Sequence, residues 1–253
     1  MSIAPPPLHV DTHGSGPGLL FLPGMDGTLF CSPILEALAE SFTVHVPALP
    51  GWGEAPRDPY FRTFDDLSYA VLDLLDVLAG PVLLVGCSTG AWLAAEVATK
   101  SCEHLSAVAL VSPVGHRHAE PMERSYLDLY ASSPEQVRAA LYGKVTSPPD
   151  LTTLTDEQFL HLARAQEATA YYAWEPYMHN PSLLGRLHRV TVPTLVVAGD
   201  EDGFTLRDDH LALLQAELPS QVAVTVIPGV GHRVEEQAPD ELLRALTDLA
   251  ARA

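Results

Sequence analysis

Short apolar runs alternate with amphipathic helical segments over residues 18–112 of the 253-residue chain. Runs without polar interruption are typical of strands buried on both faces of a sheet. Strands that alternate with helices need a parallel sheet with helices on both of its faces. The pattern therefore predicts an α/β fold, with a mostly parallel central sheet flanked by helices. The predicted strands of this half cover residues 9–12, 18–22, 43–47, 81–85 and 107–112.

The other predicted elements complete this layout. The helices between the N-terminal strands are expected at residues 32–41, 64–80 and 91–100. In the C-terminal part the alternation resumes, with strands at residues 192–198 and 222–227 and helices at residues 206–218 and 239–251.

The alternation breaks over residues 115–189, where helical signals occur without strand-like runs. Ser133 and Thr155 each begin a capping box, with Gln three residues later. In such a box the two side chains satisfy free amides of the first helical turn. We expect residues 1–114 and 190–253 to form the core, and residues 115–189 to form a helical cap, or lid, inserted into it.

The composition restricts the partners of the protein. Fourteen basic residues against 32 acidic residues give a formal net charge of −18 at pH 7. Such a field repels nucleic acid and anionic membrane surfaces. No basic segment precedes an apolar one near the N-terminus, and no run approaches the ~18 apolar residues of a spanning helix. We expect a cytoplasmic protein that binds neither nucleic acid nor membranes.

The sequence Gly86-Cys87-Ser88-Thr89-Gly90 lies where a predicted strand ends and a helix of small residues begins. A serine between two glycines at such a turn is the pattern of a nucleophile elbow, in which the glycines relieve crowding around a strained serine. The Thr89 N–H, in the first turn of the helix, is expected to point at an oxygen bound beside Ser88. The pattern predicts a nucleophilic Ser88; the alternative is a loop serine without chemistry.

Two further candidates, Asp202 and His232, each follow a predicted strand. Because the carboxyl ends of parallel strands share one edge of the sheet, we expect Ser88, Asp202 and His232 to meet there. A serine needs a base at about 2.6–3.2 Å, and that base needs a carboxylate to fix its tautomer. Asp200 and Glu201 compete for the role of the carboxylate. We prefer Asp202 because it lies farthest beyond the end of its strand.

The loop LPGMDG at residues 22–27 follows an early predicted strand. We expect the Met25 N–H to serve with that of Thr89 as an oxyanion hole, and Gly24 to permit the close approach. Asp26 is interpreted as a turn residue beside a glycine, in preference to a catalytic acid.

Apolar and aromatic side chains in the lid region and beside Asp202 are expected to line a substrate pocket. Packing of the lid against the core is the alternative for each of them. No spacing of His, Asp and Glu resembles a metal site, and the sequence predicts no cofactor. The candidate substrate contacts are Tyr126, Trp174, Tyr177, Met178 and Phe204.

Together these motifs resemble the α/β-hydrolase fold superfamily, in the capped serine-hydrolase branch that includes carboxylesterases, C–C bond hydrolases and pimeloyl-carrier methyl esterases. The resemblance rests on LPGMDG, GCSTG, GDEDG and GVGHRVEEQAP, in the family's order of Ser, Asp and His. By this resemblance the lid follows the sixth family strand. The chain departs from the family at Leu22-Pro23, where many members have His-Gly, and it has one predicted strand fewer than the family's eight.

The resemblance implies acyl transfer. We expect a small-molecule substrate and a monomer or homodimer, and the sequence does not decide between these two states. Ser88 would attack a carbonyl with His232 as base, the oxyanion would rest on the Met25 and Thr89 amides, and water would release the acyl group. We expect the substrate to be a carboxylic ester, small to medium in size and largely apolar. The same triad also serves C–C bond, thioester or lactone hydrolysis and acyl transfer, and some members of the fold only bind ligands. The sequence leaves these alternatives and the natural substrate open.

Overall fold

A seven-stranded sheet forms the centre of the computed structural model. The strands are β1 (Val10–His13), β2 (Gly18–Leu22), β3 (Thr43–Pro47), β4 (Val82–Cys87), β5 (Leu105–Val111), β6 (Thr194–Gly199) and β7 (Val222–Ile227). Their order is β1-β3-β2-β4-β5-β6-β7, with β1 antiparallel to β3 and every other pair parallel. The predicted α/β fold is confirmed. The structure describes residues 7–117, 124–144, 148–206, 209–219 and 222–253.

Eight α-helices lie within these residues. They are α1 (Ser32–Ala39), α2 (Phe64–Leu75), α3 (Thr89–Lys100), α4 (Pro134–Tyr142), α5 (Asp156–Ala173), α6 (His210–Glu217), α7 (Val234–Gln237) and α8 (Pro239–Ala250). Two short 3₁₀ helices cover Leu151–Thr153 and Leu184–Arg189. None of the helices in the described ranges is long and apolar enough to cross a membrane.

The strand β2 shows why the apolar runs are buried on both faces. Successive side chains of a strand point to opposite faces of the sheet. Leu20 and Leu22 join the core on the side of α2 and α3, whereas Leu19 and Phe21 join the core on the side of α1 and α8. Each face of the sheet is therefore covered by its own layer of helices.

The helix α2 begins as predicted and ends earlier than predicted. Asp66 N–H donates to Thr63 Oγ1 at 3.1 Å, and Thr63 N–H donates to the Asp66 carboxylate at 3.0 Å, which completes a capping box. The helix ends at Leu75, so the expected end at residue 80 is wrong. Asp76 lies at the negative end of the helix dipole, where a carboxylate disfavours continuation.

Between β5 and β6 the described residues contain helices and the isolated bridge Gly115–His179 but no strand, and Tyr126 forms a second bridge with Thr205, after β6. The capping boxes at Ser133 and Thr155 both form, and α4 and α5 follow them. The helix α5 packs on the core, where the rings of Tyr172 and Trp52 stack with their centroids 5.3 Å apart. The treatment of residues 115–189 as a separate lid stays a prediction.

Candidate active site

Ser88 occupies the tight turn between β4 and α3, with φ 52° and ψ −115°. A Cβ on Gly86 would lie 2.2 Å from the Gly90 carbonyl oxygen, and a Cβ on Gly90 would lie 2.1 Å from the Leu22 carbonyl oxygen. Both distances are far below van der Waals contact. The two glycines are therefore required by the close approach of the helix, the turn and β2, as the elbow pattern predicts.

Ser88, His232 and Asp202 form a hydrogen-bonded series. Ser88 Oγ lies 2.8 Å from His232 Nε2, and His232 Nδ1 lies 2.8 Å from Asp202 Oδ2. In this arrangement the serine hydroxyl donates to Nε2 while Nδ1–H donates to the carboxylate. Ser88 is 1% exposed and His232 is fully buried, so water competes little for these bonds.

The Asp202 carboxylate is held in its charged form. Its Oδ1 accepts from the N–H of Phe204 at 2.9 Å and from the N–H of Thr205 at 3.2 Å. Burial by itself would raise the pKa of Asp202, but His232 and these backbone donors outweigh it, so the pKa lies below its usual value. A carboxylate that stays ionised can stabilise a protonated imidazole.

The two competing acids of the same turn are used elsewhere. Asp200 Oδ1 accepts from the N–H of Gly229 at 2.6 Å. Glu201 Oε2 accepts from the N–H of Lys144 at 2.6 Å. Both carboxylates hold loops in place, and the preference for Asp202 over its neighbours agrees with its contact to the histidine.

The loop with Met25 lies directly against the serine. Gly27 N–H donates to the Gly24 carbonyl at 3.0 Å, which makes residues 24–27 a tight turn. A Cβ on Gly24 would lie 3.2 Å from the Ser88 Cβ, so a larger residue would crowd the serine. Thr89 is the first residue of α3, and amides in a first turn have no acceptor within the helix. The predicted oxyanion donors therefore come from backbone on either side of Ser88.

A buried charged cluster, which sequence reasoning missed, lies under this turn. Arg233 is 2% exposed and pairs with Asp26, while Glu235 Oε1 and Glu236 Oε1 lie 3.7 Å and 3.8 Å from its guanidinium. Burial alone would lower the pKa of Arg233, but the nearby carboxylates, Asp26 first, raise it. The signal in the sequence is an arginine directly after the histidine, followed by two adjacent glutamates. The interpretation of Asp26 as only a turn residue is incomplete.

Phe204 and Tyr126 lie near the histidine. The Phe204 ring is 4.8 Å from the His232 ring, centroid to centroid, and is fully buried. The Tyr126 ring lies 5.8 Å behind Phe204, and its hydroxyl donates to the His116 carbonyl. Phe204 packs against the histidine and Tyr126 packs against Phe204, and the role of both rings as substrate contacts stays a prediction.

The other three predicted substrate contacts lie in the segment before β6. The Tyr177 hydroxyl donates to the Leu127 carbonyl at 2.8 Å, which fixes the ring. Met178 is buried, with φ 57°. Trp174 is 59% exposed and packs edge-on against Tyr177, with ring centroids 6.5 Å apart. Contact of these side chains with a substrate also stays a prediction.

A cavity of about 340 Å³ reaches the turn that carries Met25. None of the five predicted contacts is among the described residues that line it. Val137 and Leu141 lie four residues apart on α4. This spacing puts them on one face of a helix, and it could have identified them as lining residues from the sequence. The lining also includes Met25, Asp26, Phe30, Leu129, Tyr130, Ser132, Pro134, Arg138, Tyr142, Pro148, Pro149, Leu151, Leu162, Gln166 and Thr169.

Two buried cysteines, Cys31 and Cys87, lie among the described residues. Burial raises the pKa of both Cys31 and Cys87 well above the usual value, and a protonated thiol is a poor nucleophile. Over the described ranges, no group of three or more His, Cys, Asp or Glu side chains could hold a metal ion.

Comparison with known families and proteins places these observations in context. A family model described as the alpha/beta hydrolase family matches residues 19–245. The chain is 25% identical over 250 residues to a pimeloyl-[acyl-carrier protein] methyl ester esterase of Nitrosomonas europaea, covering 93% of this chain and 96% of the relative. It is 25% identical over 254 residues to a 2-(acetamidomethylene)succinate hydrolase of Mesorhizobium japonicum, covering 95% of this chain and 90% of the relative.

The fold is also similar to solved structures. A thermophilic esterase from Thermogutta terrifontis superposes with a TM-score of 0.74 and 22% identity, over 97% of this chain and 93% of that chain. At this identity the likeness concerns the fold alone.

Proposed function

This chain belongs to the alpha/beta hydrolase family, and we propose that it is a serine hydrolase that cleaves a carboxylic ester of a small to medium, largely apolar substrate. One observation carries the proposal: Ser88 Oγ, the His232 ring and the Asp202 carboxylate are joined by two bonds of 2.8 Å. A serine hydroxyl bonded to an imidazole that a carboxylate orients is activated for attack on a carbonyl.

In the acylation step, Ser88 Oγ attacks the ester carbonyl carbon and its proton passes to His232 Nε2. The Asp202 carboxylate stabilises the imidazolium and keeps its Nδ1–H in place. The carbonyl oxygen becomes an oxyanion that accepts from the N–H groups of Met25 and Thr89. Loss of one such donor typically costs on the order of 10²–10³ in rate.

The tetrahedral intermediate then collapses. His232 gives its proton to the leaving alkoxide, and the acyl group remains on Ser88 as an ester. In the second half of the reaction, a water molecule gives a proton to His232 Nε2 and attacks the carbonyl carbon of this ester. The bond between that carbon and Ser88 Oγ then breaks, Oγ takes the proton back from His232, and the carboxylic acid is freed. Every step uses backbone amides and side chains of this chain, with no cofactor.

The substrate class is supported by the cavity of about 340 Å³ that reaches Met25, because most of the described side chains that line it are apolar. The relatives named for a methyl ester esterase and for a hydrolase agree with this chemistry. Since Ser88 is only 1% exposed, the side chains over it must move to admit a substrate. Residues 115–189 then act as the lid.

The first test is covalent labelling of the serine. Intact mass after incubation with a fluorophosphonate should show one adduct for the wild type and none for Ser88→Ala, and a series of p-nitrophenyl esters should be turned over only by the wild type. Ser112→Ala is the matched control, because Ser112 is also buried, follows β5 directly and has φ 44°. Labelling that persists in Ser88→Ala, or disappears in Ser112→Ala, would reject the assignment.

The second test separates Asp202 from its neighbours. Asp202→Asn should lower kcat by roughly 10⁴, because an amide cannot hold the required tautomer of His232. Asp200→Asn removes a carboxylate from the same turn that bonds the N–H of Gly229, and it should retain turnover close to wild type. Equal losses in the two variants would contradict the role given to Asp202.

A further inference from the structure

Two side chains from distant parts of the chain hold the turn formed by residues 24–27. Thr169 Oγ1, on α5, donates to the Met25 carbonyl at 3.0 Å. The Arg233 guanidinium donates to the Asp26 carboxylate. Both contacts are made directly after the Met25 N–H in the chain, by the Met25 carbonyl and the Asp26 side chain. The charged partner, Arg233, lies 207 residues beyond Asp26.

Stability gives no sufficient reason for an arginine at this place. Arg233 is 2% exposed, and its Nε has no hydrogen-bond partner among the described residues. The free energy needed to move such a charge out of water is about as large as the free energy gained from its ion pairs. Buried ion pairs are therefore weak evidence for stabilisation. The position of this guanidinium in the site is the feature that requires an explanation.

Arg233 connects the two halves of the site. It directly follows His232 in the chain, and its backbone N–H donates to the Leu141 carbonyl at 3.2 Å. A Cβ on Gly24 would lie 3.5 Å from Arg233 Nη1 and 3.2 Å from the Ser88 Cβ. The guanidinium thus lies under the turn at the point where the turn meets the serine.

Three carboxyl groups surround the guanidinium, and Asp26 is the one that it hydrogen-bonds. Glu235 faces Nη1 at 3.7 Å and Glu236 faces Nε at 3.8 Å, which leaves Nη2 for Asp26. A planar fork with several donors can satisfy carboxylates on different sides at once, whereas a lysine ammonium has a single charged centre. An arginine therefore suits carboxyl groups on three sides better than a lysine does.

We propose that Arg233 is a positioning residue. By holding Asp26, it sets the Met25 N–H at the correct distance from Ser88. It also connects the turn that carries Met25 to the segment that carries His232. The inference rests on the proposed function, since it assigns a purpose to the oxyanion turn of that reaction. Arg233 acts through Asp26 and does not touch the reacting atoms.

The kinetic test uses Arg233→Lys, Asp26→Asn and the double variant. Each single variant should lower kcat by on the order of 10²-fold, the loss that follows displacement of one oxyanion donor, with little change in KM. The double variant should be no slower than the slower single variant, because both changes break one contact. The inhibition constant of an alkyl boronic acid, which forms a tetrahedral adduct on the serine, should rise with the loss in kcat.

Arg244→Lys is the matched control, because Arg244 pairs with Glu241 at 3.6 Å on the exposed side of α8. It should leave kcat, KM and boronic acid inhibition unchanged. Unchanged kcat in Arg233→Lys and Asp26→Asn would overturn the proposal, as would losses that multiply in the double variant.

A second measurement does not depend on turnover. Amide hydrogen exchange of a peptide spanning residues 22–28 should be faster in Asp26→Asn and Arg233→Lys than in the wild type, with exchange in β4 and β5 unchanged. Unchanged protection of that peptide would show that Arg233 does not hold the turn. If protection falls but the wild type neither turns over esters nor reacts with a fluorophosphonate, the anchoring of the turn is supported and the proposed hydrolase function fails.

Discussion

At the scale of single residues, Ser88 combines chemistry with backbone strain. Its φ of 52° and ψ of −115° lie in a region that residues with a Cβ rarely adopt, at a cost of order 1–3 kcal/mol. The surroundings enforce this conformation, because Ser88 N–H donates to the Val111 carbonyl at 2.8 Å and Ala91 N–H donates to the Ser88 carbonyl at 3.0 Å. The strained turn places the hydroxyl at the edge of the sheet, next to His232.

Comparison of Ser88→Gly with Ser88→Ala isolates this strain, since both variants lose the hydroxyl and only glycine accepts the backbone angles. We expect Ser88→Gly to have a higher free energy of unfolding than Ser88→Ala by about 1 kcal/mol. Urea denaturation measures the difference. At Ser101, where φ is −151°, the same pair of substitutions should show the opposite order. If alanine is the more stable residue at both positions, Ser88 is not strained.

At the scale of elements, the proposed oxyanion hole depends on the spacing between α3 and β2. Its expected donors are the Thr89 N–H in the first turn of α3 and the Met25 N–H in the loop after β2. A Cβ on Gly90 would lie 2.1 Å from the Leu22 carbonyl oxygen and 2.5 Å from the Pro23 carbonyl oxygen. The helix and the end of the strand are therefore in close backbone contact next to the residues that carry the two proposed donors.

Gly90→Ala should separate these elements. Although alanine favours a helix by about 1 kcal/mol over glycine, overpacking typically costs 1–3 kcal/mol, so we expect a net loss of stability and a lower kcat. Gly185→Ala is the control, because a Cβ there meets nothing within 4 Å; it should leave both quantities near wild type. Chemical denaturation and ester turnover check the pair. A stable, fully active Gly90→Ala would contradict the spacing argument.

At the scale of the whole molecule, an acidic chain with a formal charge of −18 also buries carboxyl groups beside its active site. Burial raises the pKa of Glu235 and Glu236 above the usual value, and the attraction of Arg233 offsets this only in part. Folding therefore gives these two groups a higher affinity for protons than they have in the unfolded chain. The stability of the molecule must consequently depend on pH.

The direction of this pH dependence follows from the number of protons bound by the folded and unfolded chains. Above about pH 4.3, the ordinary pKa of Glu, the unfolded chain releases protons that folded Glu236 still holds, so the free energy of unfolding falls as the pH rises through the raised pKa. Glu236→Gln should reduce the total fall in the free energy of unfolding over this pH range. The reduction is up to about 1.4 kcal/mol for each unit by which folding raises the pKa of Glu236. Glu241→Gln, which removes an exposed carboxylate, should keep the wild-type slope. Equal slopes in the wild type and Glu236→Gln would contradict the argument.

The sequence by itself determined most of the fold, because its signals are local. Short runs rich in apolar and β-branched residues predicted the strands Gly18–Leu22, Thr43–Pro47 and Val222–Ile227 with their observed bounds. Glycine on both sides of Ser88 predicted the crowded turn, since each glycine is required by the backbone next to it. Parallel strands share one edge of a sheet, and Ser88, Asp202 and His232 each follow a strand. This was enough to predict that the three residues meet.

Only the tertiary structure decided which distant groups meet. Asp26 and Arg233 lie 207 residues apart, and Met25 and Thr169 lie 144 residues apart, so no local period relates the members of either pair. The cavity beside Met25 is likewise formed by elements that touch only after folding, and for that reason its lining differs from the predicted contacts. Periodicity indicates which face of an element is buried, whereas the partner of a buried charge depends on how every element between the two residues packs.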